Sequence, residues 1–531
     1  MAKRGFGQLF ARKSVEQMHA EHEHGELKRS LGASNLVLLG IGCIIGTGIF
    51  VLTGRAAAQF AGPAIVISFI ITGTLCALVA LAYAELASAI PVSGSAYSYS
   101  YASMGEVVAW IMGLLLVLEY GLAASTVAVG WSGYVTSFLH DVGYDVPVAL
   151  RGAPGTQITD FTTGAAVGTG AVNLPAVIAI LAVTGLLVLG VSESAFVNNI
   201  VVAIKVTVVV AFIVIGAFFV NPDLWSPLVP PPQPPLPVGE SASIWSEIGS
   251  ALWAVVTAQN TGQYGVSGII TAAATIFFAY IGFEAVSTAG AESKNPAKDM
   301  PIGILGSLII CTILYILTSA VLVGIVPYTD LNDPAPIAKA VNQIGLSWFG
   351  VLVKIGAIAG LSSVMLVLLY GQTRIFYTMS RDGLIPPVFS RVHPRFKTPW
   401  INTLLVGALA CGFAGFMGLD ALANLTNVGT LFAFAIVCFT VLYLRYARPE
   451  MRRPFKTPLF PITPLLGAVM CLFLLMSLMA HEATRNFFLV YLAGGILLYF
   501  AYGMWHSKLA KGIVVTGHED LAPTGSPRVG S

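Results

Sequence analysis

Three kinds of residue in this 531-residue chain could do chemistry: a lysine, a run of glycines and a few carboxylates, all set within apolar sequence. Lys205 stands in Ile200-Val201-Val202-Ala203-Ile204-Lys205-Val206-Thr207-Val208. An ammonium at the centre of a membrane helix costs roughly 2.5–3.5 kcal/mol, and from mid-bilayer its stem cannot readily snorkel to either interface. It can be a fixed partner for a neighbouring helix, or it can take up and release a proton as its surroundings change. The glycines lie in Gly40-Ile41-Gly42-Cys43-Ile44-Ile45-Gly46-Thr47-Gly48-Ile49-Phe50. Each weakens a helix by about 1 kcal/mol relative to alanine. Gly42 and Gly46 have the Gly-xxx-Gly spacing of close helix packing. The cluster Gly46-Thr47-Gly48 exceeds what packing requires and predicts an unwound segment. Its amides, opening a second half-helix, would face an anionic group.

A second segment reads Thr275-Ile276-Phe277-Phe278-Ala279-Tyr280-Ile281-Gly282-Phe283-Glu284, with one glycine after an aromatic cluster and a carboxylate close behind. Glu119 sits in Val117-Leu118-Glu119-Tyr120, also within an apolar run. Other chemistries find little support. The six cysteines are scattered through apolar runs as small packing residues, with no disulfide framework or metal-ligand spacing. His19, His22 and His24 belong to a mixed-charge N-terminal stretch that reads as a solvated tail without a signal peptide. There is no nucleotide loop and no nucleophile–base pair within one loop, so neither an enzyme nor a cofactor is expected. A net charge of +2 is too small to suggest nucleic acid.

These residues must be positioned by membrane helices. The chain is 56% hydrophobic and 10% charged, whereas soluble domains run near ~25% charged. Apolar runs of about twenty residues, enough to cross a hydrocarbon core as a helix, recur along it. Runs such as 174–189 and 200–220 are continuously apolar, which excludes a barrel and leaves helices. Spans are expected near 33–54, 63–90, 106–139, 173–191, 195–219, 267–291, 301–326, 348–378, 400–419, 421–446, 464–481 and 485–506. With both termini inside, all but six of the 27 Lys and Arg fall on the cytoplasmic side, as the positive-inside rule requires. Arg55, Arg151, Lys339 and Arg485 lie outside, and Lys205 and Lys354 lie within spans. The outer segment 220–266 opens with a Pro-rich stretch, 230–235, that favours an extended spacer. It separates two groups of five spans. The glycine-rich span opens the first group and the Gly282 span opens the second, and paired interruptions of this kind point to a transporter's central site.

At these residues the chain resembles the amino acid–polyamine–organocation superfamily, most closely bacterial homologues of the cationic amino acid transporters. The resemblance runs from about residue 27 to 508. It is carried by Gly46-Thr47-Gly48-Ile49-Phe50, Phe277-Phe278-Ala279-Tyr280-Ile281-Gly282-Phe283, Glu292-Ser293-Lys294-Asn295-Pro296, Gly371-Gln372-Thr373-Arg374 and Ser380-Arg381-Asp382-Gly383. It implies an all-α integral membrane protein of twelve transmembrane helices, with a leucine-transporter-like 5+5 inverted repeat and two peripheral helices. The divisions would be a cytoplasmic tail (1–30), a first repeat (31–219), the Pro-rich loop (220–266), a second repeat (267–447), two peripheral helices (464–507) and a cytoplasmic tail (508–531). A bacterial inner-membrane location follows, with a small single-span accessory protein as an additional partner.

By the same resemblance the substrate is an amino acid, coupled to protons. Its carboxylate would meet the amides of Gly46, Thr47 and Gly48, and its ammonium the carbonyls near Ile41, Ile44 and Phe278. Phe278 would close the outer side, with Ala279 and Ile281 completing the contact. Lys205 matches a lysine that replaces a bound sodium ion, with Gly40, Cys43, Ser362 and Ser363 as its partners. Glu119 would line the inner part of the pocket, in proton coupling or substrate positioning, or it would pair with Lys205. Glu284 would bond the unwound backbone, Glu85 and Glu292 could form gate salt bridges, and Lys354 would snorkel. Leu361 would shorten the far end of the pocket, favouring neutral amino acids over arginine and lysine. The alternatives are an amino acid or polyamine exchanger and a membrane-embedded sensor on a transporter scaffold.

Overall fold

With no water in the bilayer core, a buried apolar run must satisfy its own backbone, and the long apolar runs of this chain do so as helices. The computed structural model describes residues 9–13, 31–90, 95–161, 164–190, 195–233, 244–256 and 263–511. Most of the two tails and the far part of the Pro-rich stretch therefore lie outside the described residues. Among those described, nine helices are long and apolar enough to cross a membrane, and three shorter apolar helices accompany them.

In chain order the helices are α1 (Ala33–Ile44), α2 (Ile65–Ala89), α3 (Ser95–Ser103), α4 (Glu106–Asp141), α5 (Leu174–Val188) and α6 (Ala195–Gly216). There follow α7 (Ile244–Val256), α8 (Gly265–Ile276), α9 (Pro296–Ile325), α10 (Pro336–Gln343) and α11 (Ser347–Arg381). The last are α12 (Trp400–Phe416), α13 (Leu419–Ala447), α14 (Ile462–Met479) and α15 (Glu482–Leu498). Four elements were not anticipated from hydropathy: α3, α7, α10 and a small antiparallel hairpin, β1 (Gln157–Thr159) with β2 (Ala166–Thr169). All are too short or too polar to register as spans.

The helices associate in a regular scheme. α1 packs on α9, and α8 packs on α2. α4 lies against α11, α13 and α12, while α11 lies against α6 and α5. α2 contacts α9, and α5 contacts α12. Close approach is carried by small residues, as expected where lipid supplies no hydrophobic drive between helices. Gly40 of α1 faces Ser307 of α9, and Gly303 of α9 faces Leu36 of α1. The outer surface instead exposes Ile178, Ile309, Leu409 and Val469. α14 and α15 pack at one side, against α13.

The two ends of the bundle differ. One, the hairpin end, carries β1–β2, Arg55 and Arg151. The other, the tail end, carries residues 9–13 and 504–511. There Val107 donates to the Leu9 carbonyl at 3.1 Å, Lys13 Nζ bridges Asp382 at 2.9 Å, and the Lys508 amide donates to the Asp382 carbonyl at 3.0 Å. Ser507 donates to the buried carboxylate of Glu106, which also accepts from Tyr101 and Tyr499 at 2.9 Å each. Lys354 corrects a sequence expectation: it is buried and pairs with Asp141 at 2.5 Å instead of reaching out to an interface. Asp141, closing α4, supplies the charge that makes snorkelling unnecessary.

Candidate functional site

The first helix breaks where the glycines predict. α1 ends at Ile44, Ile45 turns to an extended conformation with ψ 97°, and a new helical segment starts at Thr47, continuing as a π-helical turn over Gly48–Leu52. A helix end leaves its last carbonyls, and a helix start its first amides, without internal partners. Gly46, Thr47 and Gly48 supply such amides. Thr47 Oγ1 is fully buried and has no hydrogen-bond partner among the described residues. α8 likewise ends at Ile276, continues as a 3₁₀ turn over Phe277–Tyr280, and is broken at Ile281-Gly282. Gly282 has φ +120°, a conformation that side chains rarely adopt.

The two breaks lock against each other. A Cβ on Gly48 would lie 2.2 Å from the Ala279 Cα, and one on Gly282 would lie 2.8 Å from the Cys43 backbone. Glycine at both positions is therefore a packing requirement as well as a conformational one. Phe278, Ala279 and Ile281 are buried at this junction, and the Ile281 amide donates to the Phe278 carbonyl at 3.3 Å.

Lys205 is completely buried, and its ammonium donates to the carbonyls of Gly42 at 2.5 Å and Ile45 at 3.1 Å. These two carbonyls lie two residues beyond Gly40 and Cys43, within the stretch expected to face the ammonium. Gly42 O is left without an internal donor only because α1 stops at Ile44. Of the two serines expected beside it, Ser362 is engaged elsewhere, accepting from Trp131 at 2.9 Å and donating to Ile358 O at 2.8 Å. Ser363 is buried nearby on α11. That helix touches the site through Gly360, against the Lys205 stem, and Val364, which faces Gly46. Leu361 lies between them, fully buried.

The carbonyls proposed for an ammonium already have partners. Ile41 O accepts from the Ile45 amide at 3.0 Å, and Ile44 O accepts from the Tyr315 hydroxyl at 2.8 Å. A carbonyl has two lone pairs, so each retains one acceptor position. Tyr315 was missed in the sequence, where it is one tyrosine among 18.

The family model for amino acid permeases matches residues 31–501. The chain belongs to the amino acid permease family. This agrees with the superfamily resemblance read from its motifs, and its relatives are transporters and not enzymes. Among them are the methylthioribose transporter and the branched-chain amino acid permease BcaP of Bacillus subtilis. Each is 44% identical over 95% of this chain and 99% of its own length. The vacuolar cationic amino acid transporter 4 of Arabidopsis thaliana is 37% identical over 83% of this chain and 68% of its own.

In this permease the carboxylates divide into three groups. Glu119 is fully buried and neither oxygen has a hydrogen-bond partner among the described residues. Its polar neighbours are Glu284 and Thr430. Glu284 accepts from the Gly282 amide at 2.8 Å, bracing the second break, and lies beside Glu119. Beyond these two, Tyr83 and Tyr99 lead toward the Ser95–Ser287 hydroxyl pair at 3.0 Å.

Glu85 closes the tail end. It takes two hydrogen bonds from Arg445, at 2.9 and 2.6 Å, a third from the Thr457 amide at 2.8 Å, and an ion pair with Arg453 at 3.4 Å. Among the described residues Glu292 makes no ion pair. At the hairpin end Arg55, on the second half-helix of the first span, pairs with Asp420 of α13 at 3.1 and 2.6 Å. These two residues line a cavity of about 450 Å³ with Val51, Gly130, Arg151 and Phe161. Gly130 backs directly onto Thr47, so the cavity floor adjoins the first break. Partial burial holds the Arg151 guanidinium below its usual pKa range, with Asp145 and Asp160 acting in the opposite sense.

Proposed function

We propose that this chain is a secondary active permease that takes up neutral L-amino acids across the bacterial inner membrane, driven by protons. The observation that carries the reading is the paired break. Amides of Gly46, Thr47 and Gly48 and the unpartnered Thr47 hydroxyl stand beside the junction with Phe278, Ala279 and Ile281. A zwitterion fits this arrangement, its carboxylate at the amides and its ammonium at the remaining acceptor positions of Ile41, Ile44 and Phe278. Half-helix termini carry partial charges of the right sign for both groups.

The architecture we infer is twelve spans with a 5+5 inverted repeat. Its support is the contact scheme: exchanging α1, α2, α4, α5 and α6 for α8, α9, α11, α12 and α13 carries the pairs described above among these ten helices into themselves. Alternating access would then rock one group against the other, opening Arg55–Asp420 on one side and Glu85–Arg445 on the other. The excess of Lys and Arg at the tail end favours a cytoplasmic placement of both termini.

Lys205 takes the position of a cation beside the first break, which favours a sodium-independent cycle. Its proton, together with one carried at Glu119, would couple transport to the membrane potential, each proton being worth about 2.3 kcal/mol per 100 mV. Leu361 at the distal end of the pocket and the branched-chain permease relative both favour apolar substrates. The methylthioribose relative, equally similar, gives a second reading in which the cargo is an uncharged sugar derivative. An exchanger of amino acids is a third.

The test is uptake into proteoliposomes of leucine, isoleucine, valine, alanine, arginine and methylthioribose at acid and neutral external pH. Acid-stimulated accumulation of the apolar amino acids, into empty vesicles and without sodium, is expected. Accumulation of methylthioribose alone would replace the substrate. Uptake only into preloaded vesicles would make the protein an exchanger, and accumulation driven by sodium alone would end the coupling scheme.

A further inference from the structure

Each broken helix ends in a buried turn whose carbonyls lack internal donors, and in a membrane interior those donors must come from another helix. For the first break the donor is Lys205, on the helix that closes the first group of five. For the second it is Asn427, on α13, which closes the second group. Asn427 is fully buried, and its Nδ2 donates to the carbonyls of Ala274 at 2.8 Å and Thr275 at 3.0 Å, in the last turn of α8. The two donors sit at comparable distances along the chain from what they hold. Lys205 lies 163 and 160 residues from its two carbonyls, Asn427 153 and 152 from its own.

The geometry points to Asn427 as the counterpart of Lys205 in the second half of the molecule: a positioning residue that fixes the end of α8, and through it the Phe278 carbonyl where the substrate ammonium is bound. This rests on the amino acid reading above. An amide nitrogen has two protons, and here both are used on the two carbonyls. It keeps them throughout the cycle, whereas an ammonium can give one up. The two breaks are therefore held by donors of different kind, one permanent and one that can change its charge. Among the described residues Asn427 Oδ1 is buried without a hydrogen-bond partner, and within them the side chain is held through its nitrogen.

The experiment uses Asn427→Asp, Asn427→Ser and Asn427→Ala in the full chain, reconstituted in proteoliposomes and assayed by counterflow. Asp has the same shape but offers no donor when ionised, Ser keeps one donor, and Ala keeps none. The expected result is a rise in KM for leucine of about tenfold in the Asp and Ala variants, the equivalent of one hydrogen bond. A smaller rise is expected for Ser, and Vmax should change much less than KM.

A second readout separates positioning from general damage. Inhibition by the deaminated analogue, 4-methylpentanoate, should be unchanged in the variants, because it has no ammonium to bind. Inhibition by the decarboxylated analogue, isopentylamine, should weaken in step with leucine. Unchanged KM in the Asp and Ala variants would overturn the assignment, as would equal weakening of both analogues. Failure of the wild type to exchange any amino acid would overturn the substrate reading and this inference together. Normal wild-type exchange with indifferent variants would overturn this inference alone.

Discussion

Arg445 and Glu85 meet in a two-point ion pair, Nε to Oε1 at 2.9 Å and a terminal nitrogen to Oε2 at 2.6 Å, joining α13 to α2 at the tail end. The Glu85 side chain is only 3% exposed, and its charge is compensated by this partner and by Arg453. Removing one member of such a buried pair costs about 3–5 kcal/mol, mostly because the other charge is left uncompensated. Glu85→Ala should therefore lower the thermal stability of the detergent-solubilised protein and abolish net uptake. Arg445→Lys should recover little, since a lysine cannot reproduce the planar two-point contact. Melting curves indistinguishable from wild type for both variants would contradict this.

The pair at the opposite end behaves differently. The Asp420 side chain is 40% exposed, and solvent screens its attraction to Arg55. Asp420→Asn should change stability by less than about 1 kcal/mol yet alter the rate of transport. The exchanged variant, Arg55→Asp with Asp420→Arg, should recover part of that rate. Initial uptake rates over a range of ionic strength are the measurement, and a double variant no better than either single one would count against a gating pair.

Lys205→Ala leaves Gly42 O and Ile45 O without the ammonium, at about 1–3 kcal/mol for each buried group left unsatisfied. The expected phenotype is loss of accumulation above equilibrium together with loss of any response to external pH. Proteoliposome uptake at two pH values decides it. A variant that still concentrates substrate in an acid-dependent way would remove Lys205 from the coupling scheme.

On the proposal that Leu361 closes the distal end of the substrate pocket, Leu361→Ser frees the length of a leucine side chain and should widen acceptance toward arginine. Competition of leucine uptake by arginine, measured in wild type and variant side by side, gives the answer. No change in the arginine inhibition constant would place Leu361 away from the substrate.

Gly282→Ala places a methyl group against Cys43 at a backbone angle that alanine adopts only with strain, of order 1–3 kcal/mol. Loss of substrate binding is expected even where the protein still inserts. Radioligand binding to purified protein tests this, and wild-type affinity would show that the junction tolerates separation.

The breaks could be read in the sequence for a local reason. Glycine weakens a helix wherever it stands, so four of them around Thr47 mark the first interruption without knowledge of any neighbour. The second rests on a single glycine, and became legible only through its position five spans later. What could not be read is what depends on distant residues. The end of α1 meets Gly282 and Tyr315, the latter 271 residues beyond Ile44, and nothing near Ile44 in the sequence announces either contact. Lys354 reads as an interfacial lysine until Asp141, 213 residues away, is brought beside it. Asn427 did carry a signal: an amide in the middle of an apolar run needs a partner, although nothing local names the carbonyls of Ala274 and Thr275.

Two stretches far apart in the sequence, residues 9–13 and 507–508, are moored to one corner of the bundle. Leu9 is tied to Val107 of α4, and Lys13 to Tyr101 of α3 and to Asp382, while Ser507 and Lys508 hold Glu106 and Asp382. Any swing of α4 or α11 at that corner must drag these moorings along or cast them off. A fluorescent or affinity tag inserted beside either mooring would therefore be a load on that corner. Turnover numbers from a protein tagged there would describe the load together with the carrier.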